Sequence, residues 1–492
     1  MSVVDLVYNQ ITTYPALKAT LDSLGAEVTK VVFPAIEGSG CVEYEIPAGG
    51  AFLKLPPQVD FNGWTIVAKN LHNYKWPLFS FEKYSHERKT DFHLTKADVD
   101  AGNYSRCAEL CSGRKMLVLK DQKEWTYRTD RNDMGPFFRH DVIALNDGVP
   151  DNRPIAPWNT PSTALSYYYY EANTVPAIFE NLTLKRYRDT EGHGIAKLIR
   201  VDGKYDVTLR NINVQFVEDA GNIAKTEDAC FEVYNSAHVR FENIQINGTY
   251  SSEIAYGYAF YLDNVFDVSF RNVHATGLWG VIGTRNLNRT FLKDCQMNRF
   301  DIHCYGRDVR CVDCVFDNVH FNWRISCDYS SFFGTLHYER CTFRRIIPVF
   351  LASDYHAYSG FDLVMDSCTL DYPNHTSAAS SGCDAIIVKA GCVETPENKR
   401  PEFQKTEWPN VHIVNLTLTH FSEGAGICIF YLLAPPENPL ANTIGHITQV
   451  SVNFSSAPAT CVTHFSNYSE NLIFDNTLTL KSTNADASFV DM

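Results

Sequence analysis

The sequence predicts an all-β protein wound as a right-handed parallel β-helix, with a short helix near its start, and three observations predict it. The first is an eight-residue pattern: apolar, any, apolar, any, polar turn, apolar, any, apolar. It reads Val207-Thr-Leu-Arg-Asn211-Ile-Asn-Val214, then Val239 to Ile246 around Asn243, Val268 to Ala275 around Asn272, and Val411 to Leu418 around Asn415. Looser copies run over Thr290–Met297, Val309–Phe316, Leu336–Phe343 and Leu363–Leu370, and an upstream copy ends in Phe179-Glu-Asn181-Leu-Thr-Leu184. The second observation is the spacing of the turn positions 181, 211, 243, 272, 294, 313, 340, 367 and 415, mostly one solenoid coil apart. The third is a second strand set between the copies, which includes Ala196–Val201, Ala229–Tyr234, Tyr258–Asp263, Asp301–Tyr305, Asp384–Lys389 and Gly426–Tyr431.

Each half of the pattern alternates with period two, so its apolar residues share one strand face. The phase breaks at the polar residue, where a sharp bend needs a side chain that tolerates left-handed backbone. Stacked bends align Asn181, Asn211, Asn243 and Asn272, and their amides are expected to bond along the axis as a ladder. Cys295, Cys314, Cys341 and Cys368 each follow a turn position. They are expected to form an inward column of thiols behaving as small hydrophobes. The crossover helices of a doubly wound fold are lacking.

In chain order, residues 1–30 form an N-terminal cap, with Leu17, Leu21 and Leu24 at helical spacing and Gly25 as a stop. Residues 31–480 form the β-helix. Residues 85–165, rich in Arg, His and Trp, read as early coils carrying long loops. The last interval requires an excursion, placed at Ser377–Glu407, and residues 481–492 read as a polar tail.

Composition bounds the function. The chain has 492 residues, is 45% hydrophobic and 20% charged, and carries a formal charge of −14. That charge argues against nucleic acid or an anionic membrane as partner. It leaves polysaccharide open, since sugars are read by aromatic faces and hydrogen bonds and cleaved by carboxylates. No apolar run is long enough to span a bilayer. The opening Met-Ser-Val-Val-Asp lacks the basic start and apolar stretch of a secretory leader. The 15 cysteines are too dispersed for a small disulfide scaffold.

The stretch from Val31-Val-Phe-Pro through Gly63, followed by the Asn-turn repeats, resembles the opening of pectate-lyase-like right-handed β-helix proteins, over roughly residues 28–480. That superfamily holds polysaccharide lyases, glycoside hydrolases and phage tailspike depolymerases, and the tailspike group is the most similar. The resemblance implies an endo-acting glycoside hydrolase on a bacterial surface polysaccharide, located on a virion tail or secreted to the periplasm or beyond. It also implies a homotrimer. Two departures stand out: no separate virion-binding head domain is recognised before residue 28, and no trimerisation domain after residue 480. A polysaccharide lyase of the same fold and a non-catalytic adhesin or virion fibre are the alternatives.

Site residues follow from strand alternation. If Phe300, Ile302 and Cys304 point inward, Asp301, His303 and Tyr305 share the outward face. Preceding coils present Glu232, Tyr234, Tyr261 and Asp263 there, with Trp279 and Arg285 between. Arg307 and Asp308 follow at the bend, and later coils add Asp328 and Tyr329, then Asp354, Tyr355 and His356. Asp301, Glu232, Asp263 and His303 are the candidate catalytic groups, with Asp301 first. Tyr234, Tyr261, Trp279, Arg285, Tyr305, Arg307, Asp328 and Tyr355 are the candidate sugar contacts. An ordinary polar face has the same residue types. The run Tyr167–Tyr170 reads equally as a sugar platform or as a half-buried strand. Cys311 and Cys314 have zinc-like spacing but occupy inward positions. No metal or cofactor is expected.

Overall fold

A computed structural model describes residues 2–35, 40–46, 52–69, 77–81, 88–126, 137–155, 158, 165–173, 175–187, 198–217, 230–247, 258–276, 280–302, 306–317, 325–329, 332–352, 360–372, 385–391, 409–421, 426–433, 447–456, 462–464, 474–482 and 488–489. Its strands stack in parallel, each coil pairing with the next. Tyr205–Val217, Phe231–Asn247, Tyr258–Thr276 and Gly280–Lys293 run in register, so Val207, Val239, Val268 and Thr290 are successive neighbours along one axis.

Those long strands are bent at fixed places by left-handed residues. Within Phe231–Asn247 they are Asn235, His238 and Asn243; in the next coil, Asn264, Asp267 and Asn272; in the one after, Asn286, Arg289 and Asp294. All nine turn positions predicted from the pattern, from Asn181 to Asn415, have positive φ. Asn and Asp reach this region at least cost among residues with a side chain. The amide ladder is present: Asn211 donates to Asn181 at 2.9 Å, Asn243 to Asn211 at 3.1 Å and Asn272 to Asn243 at 2.9 Å. Asp60 accepts from Asn181 at its N-terminal end.

The interior is apolar and rich in aromatic rings. Phe231 stacks on Phe260 with ring centroids 5.1 Å apart, and Phe241 on Phe270 at 4.9 Å. Cys295, Cys314, Cys341 and Cys368 lie in the same core as free thiols, as do Cys311 and Cys327. Among the described residues no group of side chains could hold a metal ion. A helix spans Tyr14–Ser23, started by the Thr13 side chain capping Ala16, and its Tyr14, Leu17 and Leu21 belong to the solenoid core.

Three expectations need correction. The strands described within and just beyond the expected 85–165 are not solenoid coils. The strands Arg114–Thr126, Phe137–Asn146, Val149–Pro150 and Leu165–Glu171 make a separate antiparallel sheet. This sheet has its own small core. Arg139 pairs with the buried Asp141 at 3.0 Å, Trp158 donates to the same carboxylate at 2.8 Å, and the guanidinium lies over the indole at 4.3 Å. Second, the excursion expected over 377–407 does not take up that whole stretch: the strand expected at Asp384–Lys389 is present as Ala385–Gly391, paired with Ile346–Ala352 and Gly426–Leu433; the rest of 377–407 lies outside the described residues. Third, Ser488–Phe489, in the expected tail, pairs with Val462–Thr463.

The antiparallel sheet docks on one corner of the solenoid. Tyr205, Ala237, Phe266, Asn288 and Arg307 are consecutive partners along the axis. The first three pack against Met116, Val118, Val142, Ala144 and Tyr170. Asn288 and Arg307 donate to the carbonyls of Arg153 and Ile155 at 2.7 and 3.1 Å. Five coils therefore present one docking group each.

Candidate functional site

Next to that docked sheet lies the wall built by Ile199–Asp202, Phe231–Tyr234, Tyr258–Asp263, Gly280–Arg285, Phe300–Ile302 and Ile325–Asp328. Val201, Phe231, Phe260, Ile282, Phe300 and Ile302 enter the core. Alternation then sends two columns outward. The first is Arg200, Glu232, Tyr261, Gly283 and Asp301, and the neighbouring bridge between Ile302 and Tyr329 continues it to Asp328. The second is Asp202, Tyr234, Asp263 and Arg285. Seven of the residues predicted to form the strip, namely Glu232, Tyr234, Tyr261, Asp263, Arg285, Asp301 and Asp328, lie on these columns.

Accessibility divides them. Asp301 is fully buried: Arg299 binds its carboxylate, and the Asp328 backbone N–H donates to its Oδ1 at 3.1 Å. Burial pushes the Asp301 carboxyl up while the Arg299 guanidinium pulls it down. Its outward direction is as expected, but a group sealed in this way offers no surface to a sugar. Glu232 and Asp328 are also buried.

Asp202 and Asp263 keep side-chain exposures of 25% and 13%, and they are held alike. Asp202 receives Arg200 at 3.5 Å and Asn235 at 3.2 Å. Asp263 receives Arg285 at 2.6 Å and Asn286 at 3.3 Å. Both asparagines are left-handed corner residues. Between the two carboxylates stands Tyr234, whose ring lies 5.9 Å from that of Tyr261 and under the Arg200 guanidinium at 4.9 Å. Burial, followed by the Glu232 charge, raises the Tyr234 hydroxyl far above the usual phenol range.

The docked sheet supplies groups that the strand pattern did not disclose. His140 meets the field of Asp263, Lys120 and Arg285, and burial pushes its imidazole down to about 4. Arg88 donates to the Tyr170 hydroxyl at 3.1 Å and lies over Tyr168 at 4.9 Å, within the field of Asp202. Tyr168 and Tyr170 face the solenoid, while Tyr167 and Tyr169 pack in the inserted sheet's own core. This is a half-buried strand.

Of the other candidates, Arg307 belongs to the docking corner rather than the strip. Trp279, His303, Tyr305 and Tyr355, with Asp354 and His356, lie outside the described residues. Asp202 was not singled out by sequence, although the strand ending at Val201 was; extending its register by one residue pairs Asp202 with Tyr234.

Consecutive coils in parallel register, repeated from the first residues to Phe489, decide the architecture. The chain is a right-handed parallel β-helix. No sequence profile of a known family matches this β-helix, and no curated protein sequence does. Solved structures similar to it include the tailspike protein gp49 from Pseudomonas phage LKA1, at 10% identity and TM-score 0.43, over 97% of this chain and 77% of that one. The Gp54 tailspike of Acinetobacter baumannii bacteriophage AP22 is similar at 11% identity and TM-score 0.45, over 93% and 75%. PfbA, a surface adhesin of Streptococcus pneumoniae, is similar at 11% identity and TM-score 0.38, over 99% and 93%.

Proposed function

We propose that this β-helix binds a linear polysaccharide across the coils of the strip and cleaves it hydrolytically, with Asp202 and Asp263 as the paired carboxylates. One observation carries the reading: Asp202, Tyr234 and Asp263 occupy successive rungs of one outward column. Two rung spacings put the carboxylate-bearing residues about 10 Å apart at Cα. That suits two carboxyl groups flanking a sugar and a water, as in inverting hydrolysis, where they stand roughly 6.5–9.5 Å apart. Tyr234 and Tyr261 supply aromatic faces for the sugar, and Arg200 and Arg285 supply donors for its hydroxyls. Asp301 and Glu232, one column away and buried, act in this reading as positioning residues. We take the substrate class to be a bacterial capsular or O-antigen glycan from the likeness of the Asn-turn repeats to those of tailspike depolymerases.

The test is incubation with a panel of capsular and O-antigen polysaccharides, read by release of reducing ends. One glycan is expected to be cleaved, and Asp202→Asn and Asp263→Asn are each expected to slow it about 100-fold or more with an unchanged circular dichroism spectrum. Full activity in both variants would remove the carboxylate assignment. Products absorbing as unsaturated uronates would mark a lyase instead.

A second reading, binding without cleavage, is favoured by the arginine that each accessible carboxylate already holds. Retention of a glycan in affinity electrophoresis without reducing-end release would select it.

A further inference from the structure

A second groove runs along the solenoid, at the corner made by the amide ladder. It encloses about 540 Å³ and is lined by Asn62, Asn181, Asn211, Asn243 and Asn272 on one side and by Thr183, Asn213 and Gln245 on the other. Asn211 and Asn243 each spend one N–H on the asparagine before and one lone pair on the asparagine after, while Asn181 donates to Asp60. An amide has two donor hydrogens and two acceptor sites, so every rung keeps a donor and an acceptor for a ligand. These repeat at the rung spacing of about 4.8 Å.

The facing column has the same character. Thr65, Thr183, Asn213, Gln245, His274 and Gln296 are consecutive partners along the axis. On the other side of the ladder the pattern changes abruptly: Glu180, Arg210, Glu242, Arg271 and Lys293 form a charged column. There Arg210 pairs with Glu180 at 2.6 Å and neutralises it. The groove side thus has hydrogen-bonding capacity without charged side chains over four coils. This combination suits an uncharged polyhydroxylated chain and penalises an ionic one, whose charge would lose water without gaining a counter-charge.

We propose that this groove is a binding site for a neutral, extended polysaccharide, separate from the carboxylate strip, with successive sugars set against successive rungs. The rung spacing is close to the length of one pyranose in an extended β-1,4-linked chain, so each sugar meets an equivalent amide pair. The site needs no aromatic platform, because its specificity comes from the repeat.

Cellohexaose is the probe, titrated calorimetrically into the full chain. Saturable binding is expected, weakened at least tenfold by Thr183→Arg and by Gln245→Ala. A hexamer of galacturonic acid is expected to bind more weakly than cellohexaose. Thermal melting checks that Thr183→Arg, at a half-buried position, and Gln245→Ala, at an exposed one, fold. Absence of saturable binding at millimolar cellohexaose overturns the proposal. So does tighter binding of the acidic hexamer, or retention of binding in Thr183→Arg. Dissociation of a wild-type oligomer by Thr183→Arg in sedimentation would assign the groove to a second copy of the chain and overturn it equally. Failure here leaves the hydrolytic reading intact, since that reading rests on reducing-end release.

Discussion

Asn243 carries a left-handed backbone and two ladder hydrogen bonds at once. Replacement by alanine removes both bonds and leaves a residue that occupies the left-handed region at greater cost than asparagine. Asn243→Ala is expected to cost about 1–3 kcal/mol in urea denaturation, and Asn243→Gly to cost less, since glycine relieves the backbone term. At His140 the effect is one of pH. Its imidazole titrates at about 4, against 6.5 for an ordinary histidine, because burial opposes the charge. Below 6.5 the unfolded chain gains a proton that the folded chain refuses. Stability is therefore expected to fall as pH drops from about 6.5 to about 4, by at most about 1.4 kcal/mol per unit, and then level off. His140→Phe should flatten that slope in pH-dependent melting. Asp267 has the opposite character. Burial pushes it up, but the bonds from His238 and Arg289 outweigh this and hold it at about 2. Its contribution is present above the usual carboxylate range and is lost as pH falls towards 2.

The corner columns show how an element of this fold is built. Each is a line of left-handed residues whose side chains bond rung to rung, and the chemistry changes along the axis. The amide ladder occupies one corner. Another runs from His238 to Asp267 at 2.6 Å and on to Arg289 at 2.9 Å. Further down the first corner, Arg340 clasps Asp313 through two bonds of 2.7 and 3.0 Å. A left-handed arginine is costly for its backbone, and the charge-assisted pair offsets it. The thiol column is the inward counterpart. Burial and neighbouring thiols raise Cys311, Cys314 and Cys341 above the usual thiol range, which suppresses the reactive thiolate. Alkylation with iodoacetamide followed by mass spectrometry should leave Cys295, Cys311, Cys314, Cys341 and Cys368 unmodified in the native protein, while the exposed Cys41 reacts. Labelling of the column without denaturant would contradict a packed core.

At the scale of the molecule, the inserted sheet and the solenoid are two bodies joined at one corner. The apolar part of that seam is small, and Phe266 is at its centre, fully buried and under the Arg289 guanidinium at 4.4 Å. Phe266→Asp places a charge in this seam. It is expected to loosen the inserted sheet, seen as faster limited proteolysis within 114–171, while the solenoid keeps its circular dichroism signal. Loosening would also withdraw His140 from the field of Asp263, so glycan cleavage should fall with it. Unchanged proteolysis would show that the seam is held by other contacts.

The sequence by itself determined the solenoid: the coil spacing, the left-handed corners, the amide ladder and the inward thiols all follow from one local pattern repeated along the chain. It also placed Glu232, Tyr234, Tyr261, Asp263, Arg285, Asp301 and Asp328 on a single wall, because strand alternation and register are local rules that propagate. Only the tertiary structure decided which of them a ligand can reach. Asp301 is sealed by an arginine two residues away and a backbone N–H from the next coil, and no periodicity reports such closure. The same holds for His140, which reaches Asp263 from more than a hundred residues upstream. Its strand belongs to an antiparallel sheet whose partner surface is built coil by coil from Tyr205, Ala237 and Phe266. A repeat records what neighbours along the axis share, whereas burial depends on what docks from outside it.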